Sequence, residues 1–309
     1  MNPLRDALLA GSQSPWLRER ATRYGFVRRT VSRFMPGETV DAALPACQGL
    51  ERDGITSIVT HLGENVSRRE EADQVRREYV SLLVEIARRG VDTQISIKPT
   101  QLGLDVDPEL CFEHVSMLAD HAERAGNFLW IDMESTPYVD ATLELHRRIR
   151  QRCQAVGVCL QAYMRRTPRD LEALLPLGPA IRLVKGAYKE PAELVFPTRR
   201  EVDEQFFALS VRLLGAEAQR TGSFAGLATH DPALIARLEA FIDEHHVPES
   251  AFEFEMLYGI QRSEQRRLVS SRRRVRVLVS YGQYWFPWFM RRLAERPANV
   301  WFVVKNLFG

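Results

Sequence analysis

The sequence predicts an α/β fold, an eight-stranded parallel β/α barrel of the TIM type preceded by N-terminal helices, and three observations predict it. Short β-branched or apolar runs alternate with helical segments from Gly54 onward, the pattern of a parallel sheet. Eight such runs within about 230 residues match a closed barrel in count and size. Neither a GxGxxG turn nor a GxxxxGK[ST] loop occurs, and HLGENVSRREEA after the first run holds one glycine, which argues against an open doubly wound nucleotide fold.

The elements follow in order. Residues 3–45 read as short helices broken at Pro15 and Pro36, so an N-terminal cap is expected over 1–45 and the barrel over 46–309. Strands are expected at 54–60, 92–98, 128–133, 157–163, 180–185, 224–229, 252–256 and 275–281, apolar enough to be covered on both faces. Pro99 ends the second, because proline cannot continue the ladder. Helical periodicity occupies 67–89, 106–125, 136–152, 201–220, 231–245 and 284–295, with shorter helices at 168–175 and 261–269. Asp231 before Pro232 is an N-cap followed by proline at the first helical position.

Lys and Arg number 42 against 40 Asp and Glu, a formal charge of +2, which offers no nucleic-acid groove. Arg272 to Arg274 read as a solvated face or turn. Cys47, Cys111, Cys153 and Cys159 lack zinc or CxxC spacing and read as reduced thiols. No apolar run approaches the roughly 20 residues of a membrane span, and Arg5 and Asp6 interrupt any signal-peptide core. A soluble, cytoplasmic protein is expected, with no metal site.

The strand ends carry the chemistry: Lys98, then Asp132 and Glu134, Gln161 and Tyr163, Lys185 and Tyr188, His230 and Asp231, Glu255 and Tyr258. In a parallel barrel these ends share one face, where ligands bind, so one active site is expected. Asp132 follows an apolar run and needs a cationic partner, for which Arg182 or Lys185 would serve. Arg182 itself lies in a run that should be buried, rare without an anionic or polar partner. Gly186 and Ala187 allow close backbone approach of a ligand. Lys98 reads as an anion anchor, and Glu134 as the start of the next helix. His230 has the chemistry of a general base, without a neighbouring Ser or Cys to form a triad. On the last helix Arg291 and Arg292, with Glu295 at helical spacing, sit beside Trp285, Phe286, Trp288 and Phe289, a guanidinium pair suited to a carboxylate.

At SIK, IDME, LQAY, RLVKGAY, ATHD, FEFEMLYG and RRLAERPAN, in that order from Gly54 to the C-terminus, the sequence resembles the proline dehydrogenase family, flavoenzymes built on a distorted β/α barrel. The resemblance implies oxidation of L-proline to Δ1-pyrroline-5-carboxylate, a non-covalent FAD, and electron transfer to a quinone, hence transient contact with the membrane surface. It assigns Lys98, Arg291 and Arg292 to the substrate carboxylate, and Asp132 and Arg182 to the polar pair beside substrate and flavin. Met133, Gln161, Lys185, Gly186, Ala187, Thr229 and His230 become flavin contacts; Thr198 and Arg200 fall on the adenine side, with Glu255 near the same half. Tyr188 and Leu257 line the substrate ring, and Glu295 orients an arginine.

Three positions depart from the family pattern: Leu278 for a tyrosine over the ring, Ser280 for a proline, and Trp288 for a tyrosine. They imply weaker discrimination against a ring hydroxyl. The alternatives are the same flavin chemistry on hydroxyproline or another cyclic or secondary amino acid, or a ligand-binding homologue without turnover.

Overall fold

The structure is a computed structural model that describes residues 31–286 and 288–290. Most of the cap expected over 1–45 and the end of the helix expected over 284–295 lie outside the described residues. Eight parallel strands close into a barrel in chain order. They are β1 (Thr56–His61), β2 (Thr93–Ile97), β3 (Leu129–Ile131), β4 (Val156–Gln161), β5 (Ala180–Val184), β6 (Phe224–Ala228), β7 (Phe252–Leu257) and β8 (Val275–Tyr281). β8 returns to pair with β1, with Ile58 opposite Leu278.

Among the described residues, α1 (Val40–Arg52) precedes β1, and the helices between the strands are α2 (Arg69–Arg89), α3 (Pro108–Arg124), α4 (Val139–Arg150), α5 (Thr167–Leu174), α6 (Arg199–Leu214), α7 (Ala216–Thr221), α8 (Pro232–Glu244) and α9 (Arg262–Ser270). Further helical residues follow β8 at 285–286 and 288–290. α1 packs on β8 and β1 and runs across the boundary expected between residues 45 and 46, with Pro45 inside it. The helix expected over 201–220 is two, because Gly215 is extended between α6 and α7 (ψ 167°). The 136–152 helix begins as a 3-10 turn, Thr136–Tyr138, ahead of α4.

Side-chain alternation along the strands builds two interiors. Outward residues such as Val59, Ile95, Leu129 and Val158 meet helix residues such as Tyr79, Leu82 and Leu118 in the main apolar core. Inside the barrel, Ile58, Trp130 and Ala180, with Phe128, Phe224 and Leu278 against them, plug the lower half. Beside this plug Arg276 Nε donates to Glu253 Oε1 at 2.7 Å and Arg276 Nη1 to the Ser57 carbonyl at 3.1 Å. The carboxyl ends of all strands open on the opposite rim. All four cysteines are buried free thiols.

Candidate active site

Asp132 is the hub of that rim. It follows Ile131, and its N–H prolongs the ladder to the Ile97 carbonyl at 2.8 Å, which aims the side chain into the barrel. Its Oδ1 accepts hydrogen bonds from Ser96 Oγ at 2.8 Å and Arg182 Nη1 at 2.9 Å. Its Oδ2 faces Lys98 Nζ at 3.4 Å. β2 supplies Gln94 and Ser96, and Lys98 follows at the next alternate position just past its end, so one extended run contributes a hydroxyl and an ammonium to the same carboxylate.

Arg182 lies midway along β5 and is buried. Its Nη1 also donates to Ser96 Oγ at 3.1 Å, and its guanidinium carbon stands 4.7 Å from the Trp130 ring centre, a cation–π contact. Nε lies 2.8 Å from Glu255 Oε2 but off the hydrogen-bonding line, so that contact is ionic. Nη2 has no hydrogen-bond partner among the described residues. Burial by itself lowers the Arg182 pKa; Glu255, Cys159 and Asp132 outweigh it and hold the group charged. The partner expected for Asp132 is therefore Arg182. Lys185 points elsewhere, to Asp203 and, at 3.3 Å, to Asp231.

Glu255 is buried inside the barrel against Arg182. Burial pushes its carboxyl up to about 7 against the pull of Arg182, with Glu253 adding in the same direction. Its Oε1 lacks a hydrogen bond and lies 2.1 Å from where a Cβ on Gly226 would be, so only glycine leaves room for it.

Glu134 does not start a helix. It is buried and accepts from the Thr100 N–H at 2.9 Å and the Thr100 hydroxyl at 2.6 Å, bracing the turn after Lys98. Burial raises its pKa to about 7.

The remaining candidates ring this centre. Gln161 Nε2 reaches the Met133 carbonyl at 3.5 Å while its Oε1 is buried without a hydrogen bond. Gly186 has φ +112° and lies on the Tyr163 ring, where a Cβ would come within 2.2 Å. Ala187 and Tyr188 follow it, half-buried. Thr198 is the N-cap of α6 in a capping box with Glu201. Arg200 lines a groove of about 420 Å³ with Arg199, Asp203, Asp231 and Arg237. Asp231 caps α8 as expected, accepting from the Ala233 N–H, while Thr229 Oγ1 accepts from the Asp231 N–H at 3.2 Å.

His230 Nε2 accepts the Leu257 N–H at 2.9 Å. That lone pair is engaged, so the general-base reading of this nitrogen gives way to a brace on the last residue of β7. Leu278 is half-buried above the plug. Trp288 is buried against Trp285, Phe286, Phe289 and Val31. Arg291, Arg292 and Glu295 lie outside the described residues.

Sequence reasoning missed Ser96, the Glu253–Arg276 pair and Glu190, whose carboxylate accepts from the Thr136 N–H at 2.9 Å and the Thr136 hydroxyl at 2.5 Å. The first two left a signal. In QISIK, FEFE and RVRV, polar residues recur at every second position inside apolar strands, which marks a polar barrel interior. Glu190 left none, because it acts across two loops.

A closed parallel barrel whose carboxyl rim concentrates lysine, arginine and incompletely bonded polar atoms has the build of an enzyme acting on a small, anion-bearing substrate. The chain belongs to the proline dehydrogenase family, whose model, described as proline dehydrogenase, matches residues 43–305. It is 37% identical to proline dehydrogenase 1 of Bacillus subtilis (strain 168) over 305 residues, covering 98% of this chain and 99% of that one. Proline dehydrogenase of Deinococcus radiodurans is 34% identical over 308 residues, covering 98% and 97%. Among solved structures, proline utilization A of Bdellovibrio bacteriovorus, inactivated by N-propargylglycine, superposes with a TM-score of 0.79 at 22% identity, over 86% of this chain and 32% of that one. This chain thus spans about a third of that larger protein, and the likeness is one of fold. Family membership makes the chain a flavin-dependent oxidoreductase. No helix among the described residues is long and apolar enough to cross a membrane.

Proposed function

We propose that this chain oxidises L-proline at the ring C–N bond to Δ1-pyrroline-5-carboxylate, using non-covalently bound FAD and passing the electrons to a quinone. The observation that carries the reading is the Lys98–Asp132–Arg182 constellation at the rim of a chain matched to the family over residues 43–305.

The rim fits a flavin. Arg182 Nη2 and Gln161 Oε1 are buried polar atoms still lacking partners, and leaving such atoms unmet costs free energy. Gly186, at φ +112°, lets the turn after β5 pack directly on the Tyr163 ring. Arg199, Arg200 and Arg237 border the groove farther out, where a pyrophosphate and adenosine would lie. A flavin held there supplies the hydride acceptor for the carbon next to nitrogen.

The protein's own groups do the rest. Lys98 is a donor for the substrate carboxylate, with Arg291 and Arg292 assigned to share it. Asp132 keeps Lys98 and Arg182 at fixed positions, and Arg182 places a permanent positive charge at the centre of the rim, where negative charge develops. Leu257, braced by His230, and Tyr188 flank the ring. Leu278 favours a second substrate: it offers apolar contact without a phenol, leaving room for a ring hydroxyl above the plug.

The test is anaerobic addition of L-proline to the purified, FAD-loaded protein. Bleaching of the flavin band is expected. A flavin that stays oxidised with L-proline but bleaches with another cyclic amino acid changes the substrate, and one that bleaches with none overturns the reading.

A further inference from the structure

The segment joining β5 to α6, residues 185–198, runs along the barrel rim and carries the Gly186–Ala187–Tyr188 turn. It is fastened on one side by Lys185, which pairs with Asp203 of α6 and with Asp231 at the start of α8. It is fastened on the other by Glu190. Glu190 Oε1 accepts from the Thr136 N–H at 2.9 Å and from the Tyr163 hydroxyl at 3.4 Å, while Oε2 accepts from Thr136 Oγ1 at 2.5 Å.

Thr136 opens the 3-10 turn that leads into α4, and Ser135 at its N-cap supplies no side-chain hydrogen bond there. The carboxylate of Glu190 therefore takes a capping role from a different loop, with an anion at a helix N-terminus favoured. Thr136 lies four residues beyond Asp132, and Glu190 two beyond Tyr188. Farther along, the Arg165 N–H donates to the Leu194 carbonyl and the Phe196 N–H to the Tyr163 carbonyl, at 2.9 and 2.8 Å. The turn bearing Tyr188 is thus a short strap pinned at both ends by charged side chains.

We propose that Glu190 is a positioning residue for substrate binding: by latching the strap to Thr136 and Tyr163, it holds Tyr188 against the rim that Asp132 and Lys98 define. This rests on the proposed function above for the identity of the substrate. The geometry of the latch stands independently of it. A strap already in place before substrate arrives spares the ordering cost of binding. Losing the latch then weakens binding more than it slows the chemical step.

The experiment compares FAD-loaded wild type, Glu190→Ala and Glu190→Gln. Gln keeps an acceptor for the Thr136 N–H. In Glu190→Ala the KM for L-proline is expected to rise about tenfold, or about 1.4 kcal/mol in binding, with kcat within about twofold. Binding of cyclopentanecarboxylate, a ring carboxylate that cannot be oxidised at a C–N bond, should weaken in parallel, and Glu190→Gln should restore most of both. Amide exchange of residues 186–197 in the substrate-free protein should accelerate in Glu190→Ala alone. An unchanged KM, or a fall in kcat at constant KM, overturns the positioning role. If wild type does not oxidise L-proline, the functional reading fails by itself, and exchange decides the latch: equal protection in wild type and Glu190→Ala overturns it.

Discussion

Two arginines stand inside the same barrel, each facing a glutamate of β7, and they are treated differently. Arg276, near the floor, spends its Nε on Glu253 at 2.7 Å and Nη1 on the Ser57 carbonyl, while Glu253 Oε2 has Arg274 at 3.6 Å. Arg182, one level up, divides itself among Asp132, Ser96 and Glu255 and keeps Nη2 without a hydrogen bond. The lower arginine is closed and holds strands together, although Glu253 Oε2 is left without a hydrogen bond. The upper one is open, and its carboxylate partners are either shared with Lys98 or, as at Glu255, pushed toward the neutral form. An inward arginine left with an unbonded donor marks the working end of the barrel, because a buried cationic donor without a partner is a place for a ligand to supply one.

Breaking the floor should cost the most stability. Arg276→Met leaves Glu253 buried with only the distant Arg274, and removal of one partner of a buried pair costs about 3–5 kcal/mol. Urea unfolding should show that loss, while turnover per folded molecule stays within a few-fold. An undiminished unfolding free energy would show that the floor pair is not structural. Replacing both members, Glu253→Leu with Arg276→Met, should regain most of the loss, since a packed apolar pair is often as stable as a buried ionic one.

The strained carboxyls of the rim give a pH signature of the opposite kind. Glu134 has a folded pKa of about 7, above its ordinary 4.5. Below pH 4.5 both states hold the proton and the group is neutral to stability. Between 4.5 and 7 the unfolded chain releases it first, so stability falls as pH rises, and above 7 the penalty is constant. The full penalty is on the order of 3 kcal/mol. Glu134→Gln should flatten this part of the profile relative to wild type. Parallel profiles for the two proteins would contradict the burial argument.

The smallest effect concerns Leu278, where plug and rim meet. Leu278→Tyr should raise the preference for L-proline over trans-4-hydroxy-L-proline by about 1–3 kcal/mol in kcat/KM, the modest discrimination a pocket achieves against one added group. An unchanged ratio would place the ring elsewhere.

Much of this was legible in the sequence, for physical reasons. Buried parallel strands must be apolar and short, so eight runs and their polar termini stood out, and each expected strand lies within three residues of an observed one at either end. Asp132 needed a cation because its run left it no solvent, and Arg182 was one of two named. Which of the two answered depended on barrel register, since Arg182 points inward while Lys185, past the end of β5, reaches α6 and α8. Glu134 was misread because a carboxylate after a strand looks like a helix start. Its role is set by Thr100, 34 residues away. Glu255, which the resemblance puts near the adenine half of the cofactor, follows the alternation in FEFE into the barrel beside Arg182.

The central claim is that the open arginine is the functional one and the closed arginine is not. The direct measurement is the anaerobic rate of flavin reduction by saturating L-proline in FAD-loaded Arg182→Met and Arg276→Met, each normalised to folded, flavin-bound protein. The account predicts a fall of about a hundredfold or more for Arg182→Met, the size expected when a preorganised charge is removed from a reacting centre, and a rate near wild type for Arg276→Met. Equal losses in the two variants, or a wild-type rate in Arg182→Met, would contradict it.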